Sequence, residues 1–282
     1  MVKKTVLRHP RTSAVALSAV VAVAALTLTL TAPAGAAKAE EQKPKQKPTV
    51  VLVHGAFVDG STWNGVIERL QSDGYPVVAA ANPLRGLAND ADALRSLLDS
   101  IDGPIVLAGH SYGGSVISEA AASNPQVRAL VYIAAFALEK GESVTELNSR
   151  FPGADLGSAL NPVPFALPGG GTGIDLYIKP DKFHDVFAAD VPTSLTDLAA
   201  AAQRPVAASV FDDEPSEAAW TTIPSWDLIT TEDKAITPEA QRFMAERAHA
   251  HTVEVKASHA VTASQPGVVT RLIEQAARST AR

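Results

Sequence analysis

The sequence predicts an α/β fold, a doubly wound and mostly parallel sheet with an inserted, partly helical cap. Short apolar runs recur along the chain between amphipathic segments, and they are continuous rather than alternating. Such runs are typical of parallel strands that are buried on both faces. One long interval, residues 139–224, breaks this rhythm. It is too long for a connecting loop, and we therefore expect it to form a cap.

The N-terminal segment has the pattern of a secretory signal peptide. Four cationic residues precede an apolar run, residues 14–30, and a stretch of small residues follows. The run is shorter than the roughly 20 residues that span a bilayer. We expect residues 1–36 to be removed, with Ala39 as the alternative cleavage position. The absence of an Arg-Arg pair favours the general export route, and we expect a secreted protein without a membrane anchor.

Residues 37–48 are rich in Lys, Glu and Pro and predict a flexible linker before a single domain, residues 49–282. Loss of the four cationic leader residues changes the net charge from -6 to -10. An acidic chain without a basic stripe gives no support for a nucleic-acid partner.

The complete absence of cysteine excludes disulfides, thiolate zinc sites, iron–sulfur clusters and a catalytic thiol. The hydrophobic fraction of 46% is ordinary for a globular protein and argues against a largely disordered chain. We expect no cofactor and no metal.

The N-terminal half alternates predicted strands with predicted helices. Four short apolar runs predict strands: 49–53, 77–80, 105–108 and 130–134. The segments between them predict helices at 62–71 and 89–101, and a third of small residues that ends at 122. In the second helix the leucines recur on one face.

The C-terminal part continues the alternation after the cap. Residues 226–230 and 253–255 predict the last two strands. Thr237 as N-cap and Pro238 at the first helical position predict a helix between them, and residues 266–277 predict the last helix. The glycine run of the cap lacks the strand and the Gly-Lys-Ser/Thr sequence of a phosphate-binding loop.

The most informative motif is Gly109-His110-Ser111-Tyr112-Gly113, which fits G-x-S-x-G. It lies directly after a predicted strand and before a predicted helix, as a nucleophile elbow requires. Its glycines permit a turn that a Cβ would obstruct, and the turn raises the serine hydroxyl beside a helix N-terminus. Ser111 is therefore the candidate nucleophile.

A serine hydroxyl needs a base to take its proton, and the chain contains seven histidines. His259 is the candidate because it follows the last predicted strand, at the same edge of the sheet as Ser111. The others lie in the leader, the first-strand loop, the elbow, the cap or the flank of a helix: His9, His54, His110, His184, His249 and His251.

An acid is expected after the strand that precedes the histidine's own strand. Asp233 is preferred because the 26 residues that separate it from His259 leave enough chain to turn back. Glu232 is the alternative, since loop boundaries read from sequence err by a few residues. The loop after the first strand adds the backbone N–H of Ala56, which we expect to pair with that of Tyr112 as oxyanion donors, each worth roughly 10²- to 10³-fold in rate.

Together these motifs resemble the α/β-hydrolase superfamily. The resemblance covers residues 49–277 and is carried by GHSYGG, VLVHGAF, TEDKAITPEAQRFMAERA and SHAV, in the order Ser, Asp, His. Within the superfamily the chain is similar to the small esterases and hydroxynitrile lyases that include plant salicylate-methylester esterases. The resemblance implies the α/β-hydrolase fold, with Ser111 as nucleophile, Asp233 as acid, His259 as base, and Ala56 and Tyr112 as oxyanion donors.

Two positions separate hydrolysis from the lyase reaction in this branch. The lyases have Thr after the first-strand histidine and Lys after the catalytic histidine, where this chain has Gly55 and Ala260. Epoxide and haloalkane hydrolases of the superfamily use an Asp nucleophile, which Ser111 excludes. The resemblance therefore implies hydrolysis.

We expect a secreted serine esterase that cleaves small or medium apolar carboxylic esters through an acyl-serine, losing activity in acid as His259 takes up a proton. The alternatives are lactone, amide or carbon–carbon bond hydrolysis or perhydrolysis on the same residues, and a noncatalytic ligand receptor. Six aromatic side chains of the cap are candidates either for the pocket or for the cap's own core: Phe151, Phe165, Phe183, Phe187, Phe211 and Trp220.

Overall fold

The centre of the molecule is a parallel sheet of six strands. The computed structural model describes residues 47–280. In this part of the chain the strand order is β2-β1-β3-β4-β8-β9, and every neighbouring pair runs parallel. The strands are β1 (Thr49–Val53), β2 (Val77–Ala80), β3 (Ile105–His110), β4 (Val127–Ile133), β8 (Ser225–Thr230) and β9 (His251–Val255).

Helices cover both faces of this sheet. They are α1 (Asn64–Ser72), α2 (Leu87–Leu98), α3 (Gly113–Ala121), α8 (Pro238–Arg247), α9 (Val261–Ser264) and α10 (Pro266–Ser279). Successive residues of a strand point to opposite faces. Val51 and Val53 of β1 pack on the side of α2, α3 and α8, whereas Val50 and Leu52 pack on the side of α1 and α10. Burial on both sides explains the continuous apolar runs and confirms the predicted fold class.

Two helices begin where the sequence signals place them. The Thr237 hydroxyl accepts the N–H of Ala240 at 3.3 Å, and Pro238 occupies the first turn of α8. Pro266 begins α10 in the same way. A proline is favoured there because its missing N–H would have no partner inside the helix.

The cap lies between β4 and β8 and combines helices with a small antiparallel sheet. Its elements are α4 (Val144–Arg150), α5 (Leu156–Ala159), β5 (Leu160–Ala166), β6 (Thr172–Ile178), α6 (Pro180–Phe187), α7 (Thr193–Ala202) and β7 (Val206–Ala207). The sheet order is β5-β6-β7. The sequence predicts the helices but not the sheet, because Pro162 and Pro164 argue against a strand. Both prolines lie in β5, an edge strand, where a missing N–H is tolerated.

The glycine run of the cap is a hairpin turn. Gly169, Gly170 and Gly171 connect β5 to β6 with φ of 91°, 103° and 95°. Such angles lie in the region that favours glycine. The run therefore makes a tight reversal between antiparallel strands.

The predicted signal peptide, residues 1–36, lies outside the described residues, as does the predicted linker except for Lys47 and Pro48. Between residues 47 and 280 no helix is long and apolar enough to cross a membrane.

Candidate active site

Ser111 lies in the sharp turn between β3 and α3. Its φ is 54°, in the left-handed region that side chains other than glycine rarely adopt. Its carbonyl oxygen accepts the N–H of Gly114 at 2.9 Å and that of Phe136 at 3.1 Å, and these bonds hold the turn. A Cβ on Gly109 would approach the carbonyl oxygen of Gly113 to 2.5 Å. The elbow therefore needs glycine at this flank.

The loop after β1 packs directly against the elbow. A Cβ on Gly55 would lie 2.6 Å from Ser111 Cβ and 2.9 Å from the His110 carbonyl oxygen, so only glycine permits this approach. The close contact brings the backbone N–H groups of Ala56 and Tyr112 to the same turn. Within residues 47–280 neither N–H donates to a protein acceptor. Both are available for a negatively charged oxygen.

His54 fixes the shape of this loop. Its Nε2 accepts the backbone N–H of Asn82 at 3.1 Å, so Nδ1 carries the hydrogen and donates to the Gly55 carbonyl oxygen at 2.9 Å. Burial lowers the pKa of His54, which favours this neutral form. The Asn82 side chain in turn donates to the His54 carbonyl oxygen at 3.0 Å. His54 is therefore a structural group with both ring nitrogens occupied.

His259 and Asp233 form a hydrogen-bonded pair. His259 lies between β9 and α9, and its Nδ1 is 2.8 Å from Oδ2 of Asp233. A carboxylate only accepts, so Nδ1 carries the hydrogen and Nε2 is left as an acceptor in the neutral ring. Glu232 instead points outward, with Oε1 3.4 Å from Nζ of Lys256 and half of its side chain exposed. The structure thus brings Asp233, and not Glu232, to His259.

The Asp233 carboxylate is held by a set of donors. Oδ1 accepts the backbone N–H groups of Ala235 and Ile236 at 2.8 and 2.9 Å. Oδ2 accepts from Thr230 Oγ1 at 2.8 Å and from Gln241 Nε2 at 2.9 Å. Burial opposes its charge, but the interaction with His259 and the two backbone hydrogen bonds hold the pKa of Asp233 below its usual value. Asp233 is therefore a fixed anion.

His110 connects the elbow with the base. Its Nε2 donates to the His259 carbonyl oxygen at 2.9 Å, and the centroids of the two rings are 4.8 Å apart. Burial, together with charge on His259, lowers the pKa of His110 to about 3, so its ring stays neutral. Because His110 is the neighbour of Ser111 in the chain, these contacts hold the elbow against the backbone and ring of His259.

The side chain of Tyr112 is anchored away from the pocket. Its hydroxyl donates to Oδ2 of Asp90 on α2 at 2.9 Å. Burial and the adjacent Asp90 charge raise the pKa of Tyr112, so the phenol stays protonated as the donor. Asp90 also accepts the backbone N–H of Arg85 at 3.0 Å. Residue 112 is therefore fixed by a contact at the tip of its side chain.

Nothing in the sequence predicts a site role for Asn82, Asp90 or Gln241. These residues contact site residues from other elements, and a contact between distant elements leaves no local pattern. The one local signal is the Asn82-Pro83 turn directly after β2.

Two of the six cap aromatics lie beside His259, and the other four make contacts elsewhere. Phe187 contacts the His259 ring at a centroid distance of 4.8 Å, and Phe183 packs on Phe187 at 5.2 Å. Phe151 packs on Phe243 instead, and Trp220 donates to the Leu138 carbonyl oxygen. Phe211 lines an open cavity of about 500 Å³, and Phe165 contacts the guanidinium of Arg85.

In the described part of the chain, no group of three or more His, Asp or Glu side chains is arranged to hold a metal ion. The candidate groups are the hydroxyl of Ser111 in the elbow, the imidazole of His259 with its hydrogen-bonded carboxylate, and the backbone N–H groups of Ala56 and Tyr112. Such a set can take a proton from a hydroxyl and stabilise a negative oxygen.

Comparison with known proteins agrees with this architecture. Alpha/beta hydrolase nvfD of Aspergillus novofumigatus (strain IBT 16806) is 28% identical over 253 residues, which cover 82% of this chain and 97% of that protein. The structure of polyneuridine aldehyde esterase has a TM-score of 0.71 at 23% identity and covers 82% of this chain and 99% of its own. A pyrethroid hydrolase from Sphingobium faniae JZ-2 has a TM-score of 0.69 at 22% identity and covers 83% and 98%. Residues 50–272 match the model of the alpha/beta hydrolase family. The chain belongs to the alpha/beta hydrolase family.

Proposed function

We propose that this chain is a serine hydrolase that cleaves carboxylic esters through an acyl-serine intermediate. Membership of the alpha/beta hydrolase family supports hydrolase activity. The observation that carries the proposal is the 2.8 Å bond between His259 and Asp233 beside a serine held at positive φ. This bond leaves Nε2 of His259 unprotonated on the side opposite the carboxylate.

The proposed reaction has two halves. Ser111 Oγ attacks the ester carbonyl carbon, and its proton moves to His259 Nε2. The backbone N–H groups of Ala56 and Tyr112 hold the negative oxygen of the tetrahedral species. The C–O bond breaks, the alcohol leaves with the proton from His259, and the acyl group stays on Ser111. Water then loses a proton to His259 and attacks the acyl carbon. The bond from this carbon to Ser111 Oγ breaks, His259 returns the proton to Oγ, and the acid leaves.

We assign to this site small or medium esters with an apolar acyl group. The support is the aromatic surface beside His259, where Phe57 packs edge-on against Phe187 at 6.4 Å. Both side chains are almost completely buried. The surroundings of His259 are therefore apolar, and they favour an apolar acyl group over a polar or charged one, whose desolvation would cost free energy.

A matched pair of serine variants tests the proposal. Ser111→Ala should lower kcat/KM on p-nitrophenyl esters by at least about 10³-fold, because the nucleophile is lost. Ser115→Ala is the control, since Ser115 is also buried in this turn and helix but its hydroxyl has no partner within residues 47–280. A series of p-nitrophenyl esters from acetate to octanoate tests which acyl length the site prefers. Labelling by a fluorophosphonate should occur in the wild type and in Ser115→Ala only. Ser111→Ala with wild-type turnover would refute the assignment, and a chain that neither turns over nor labels would be a receptor.

We also propose that the protein is exported and that the mature chain begins after Ala36. The cationic and apolar leader supports this. Expression of the full chain in a bacterial host, followed by mass measurement of the protein in the medium, should give a species that starts at Ala37. A cell-associated, full-length product would contradict the proposal.

A further inference from the structure

The cap contacts the loop that carries His259. This loop, residues 256–260, is called the histidine loop below. The backbone N–H of Ala260 donates to the Phe187 carbonyl oxygen at 2.9 Å, and the Ser258 hydroxyl donates to Oδ1 of Asp190. Both acceptors lie at the end of α6 and in the turn after it. The cap therefore holds the residue before His259 and the residue after it.

The ring of Phe187 adds a third contact. It meets the His259 imidazole edge-on, with centroids 4.8 Å apart and an interplanar angle of 74°. The ring of His110 lies at the same centroid distance, 4.8 Å. Both Phe187 and His259 are almost completely buried. The imidazole is thus packed against one ring of the cap and one ring of the elbow, and its orientation depends on where the cap turn lies.

The Ser258–Asp190 bond joins a buried group to a surface group. Ser258 is buried, whereas Asp190 is exposed. Among the described residues, Asp190 supplies the one side-chain acceptor for the Ser258 hydroxyl. Hydrogen bonds to an ionised acceptor are roughly twice as strong as neutral ones. A charged residue on the cap surface therefore fixes the position next to His259.

The other end of the histidine loop is held by the core. The Ala257 carbonyl oxygen accepts the backbone N–H of Glu232 at 3.1 Å, and the Lys256 carbonyl oxygen accepts from Gln265 at 3.0 Å. These bonds do not involve the cap. At His259 itself the core contributes the His110 and Asp233 bonds, so loss of the cap contacts should loosen residues 258 and 260 on either side of it and leave the beginning of the loop in place.

We propose that Asp190 is a positioning residue for His259, which it orients through Ser258 and the turn that contains Phe187. The inference rests on the proposed function, in which His259 is the base. Full activity then requires the cap turn to be seated on the histidine loop. A misplacement of about 1 Å in a catalytic group can cost about 10²-fold in rate, so even a small shift of His259 should be measurable.

Variants at Asp190 and Ser258 test this inference by kinetics. Asp190→Ala and Ser258→Ala should each lower kcat on a short p-nitrophenyl ester by about 10-fold to 10²-fold, with KM nearly unchanged, because the loss affects the transition state alone. Asp190→Glu keeps the carboxylate and should recover most of kcat. Asp185→Ala is the matched control, since Asp185 is likewise an exposed acid, lies on the adjacent α6, and forms no side-chain hydrogen bond or ion pair with described residues. It should behave as wild type, and thermal unfolding should show that all variants fold.

A second measurement does not depend on turnover. The proton that His259 Nδ1 donates to Asp233 should give a low-field NMR signal in the wild type and in Asp185→Ala. In Asp190→Ala and Ser258→Ala the signal should broaden as the loop admits solvent. Unchanged kcat together with an unchanged signal would overturn the inference. If the wild type cleaves no ester, the proposed function fails, and the NMR signal still decides whether Asp190 orients His259.

Discussion

At the scale of single residues, the site depends on a strained serine and a glycine opposite it. A residue other than glycine at a left-handed φ costs about 1–3 kcal/mol unless its surroundings hold it. The two hydrogen bonds to the Ser111 carbonyl oxygen do so here. Gly55 makes the arrangement possible, because the loop after β1 closes on the serine with no room for a side chain.

Replacement of Gly55 by alanine tests this dependence. The new Cβ would lie 2.6 Å from Ser111 Cβ, so the elbow or the loop must shift, and the N–H of Ala56 shifts with it. We expect Gly55→Ala to lower kcat by about 10²-fold or more, measured on a p-nitrophenyl ester.

Gly60→Ala is the control for this change. Its Cβ would meet only the Ala79 side chain, at an ordinary 3.5 Å, and activity should stay at the wild-type level. A Gly55→Ala protein with activity close to the wild type would contradict the close approach.

At the scale of elements, the core strands are predictable and the cap sheet is not. The strand β1 is predictable because burial on both faces requires an unbroken apolar run, TVVLV. The strand β5 is not predictable from the sequence. It is largely exposed, and its two prolines are tolerated because β5 pairs only on one side, with β6.

The sequence favours Asp233 over Glu232 as the acid but does not exclude Glu232. Which of the two faces inward is decided by hydrogen bonds from Thr230 and Gln241, and the latter belongs to the next helix.

Arg85, in the loop between β2 and α2, is one of the core residues that contact the cap sheet. Its guanidinium lies 2.5 Å from Oδ1 of Asp175 on β6, donates to the Pro205 carbonyl oxygen at 3.2 Å and lies over the ring of Phe165 on β5. One side chain therefore contacts two strands of the cap sheet and the segment before the third. The side chain of Arg85 is partly exposed, so its ion pair alone is worth little.

We expect Arg85→Ala to loosen the β5–β6 hairpin without unfolding the core. The loss of the combined contacts should lower the free energy of local opening by about 1 kcal/mol, or about 5-fold in the open population. Limited thermolysin digestion near the hairpin turn, at Leu167, should speed up by that factor. Arg242→Ala removes a surface pair with Glu254 on the core and should leave this cleavage unchanged. Equal cleavage rates for the wild type and Arg85→Ala would show that the hairpin is held by other contacts.

At the scale of the whole molecule, stability depends on packing, since the chain has no cysteine to form disulfides. One buried side chain lowers the stability that packing provides. Asp227 of β8 is almost fully buried, and within residues 47–280 neither of its carboxylate oxygens has a hydrogen-bond partner. Burial alone raises the pKa of Asp227 well above its usual value, since no cation or donor in the described part of the chain offsets the lost hydration.

This unpartnered carboxyl predicts a specific dependence of stability on pH. The folded chain binds the Asp227 proton more tightly than the unfolded chain does. The contribution of this proton to the free energy of unfolding is therefore fully present below the unfolded pKa of about 3.9. It is lost as the pH rises toward the folded pKa, at about 1.4 kcal/mol for each pKa unit between the two. Asp227→Asn cannot ionise. We expect the variant and the wild type to have similar free energies of unfolding near pH 4, and the variant to be more stable by at least about 1 kcal/mol at pH 8.

Urea unfolding between pH 4 and pH 8 measures this difference, with the slope m compared to show that the two-state transition is unchanged. Asp233 acts in the opposite direction, because its lowered pKa stabilises the fold above the unfolded pKa. That contribution is common to both proteins and cancels in their difference. Asp102→Asn, at an exposed position with no side-chain partner among the described residues, should give a pH profile parallel to the wild type. A parallel profile for Asp227→Asn as well would mean that Asp227 is ionised and solvated in the folded chain.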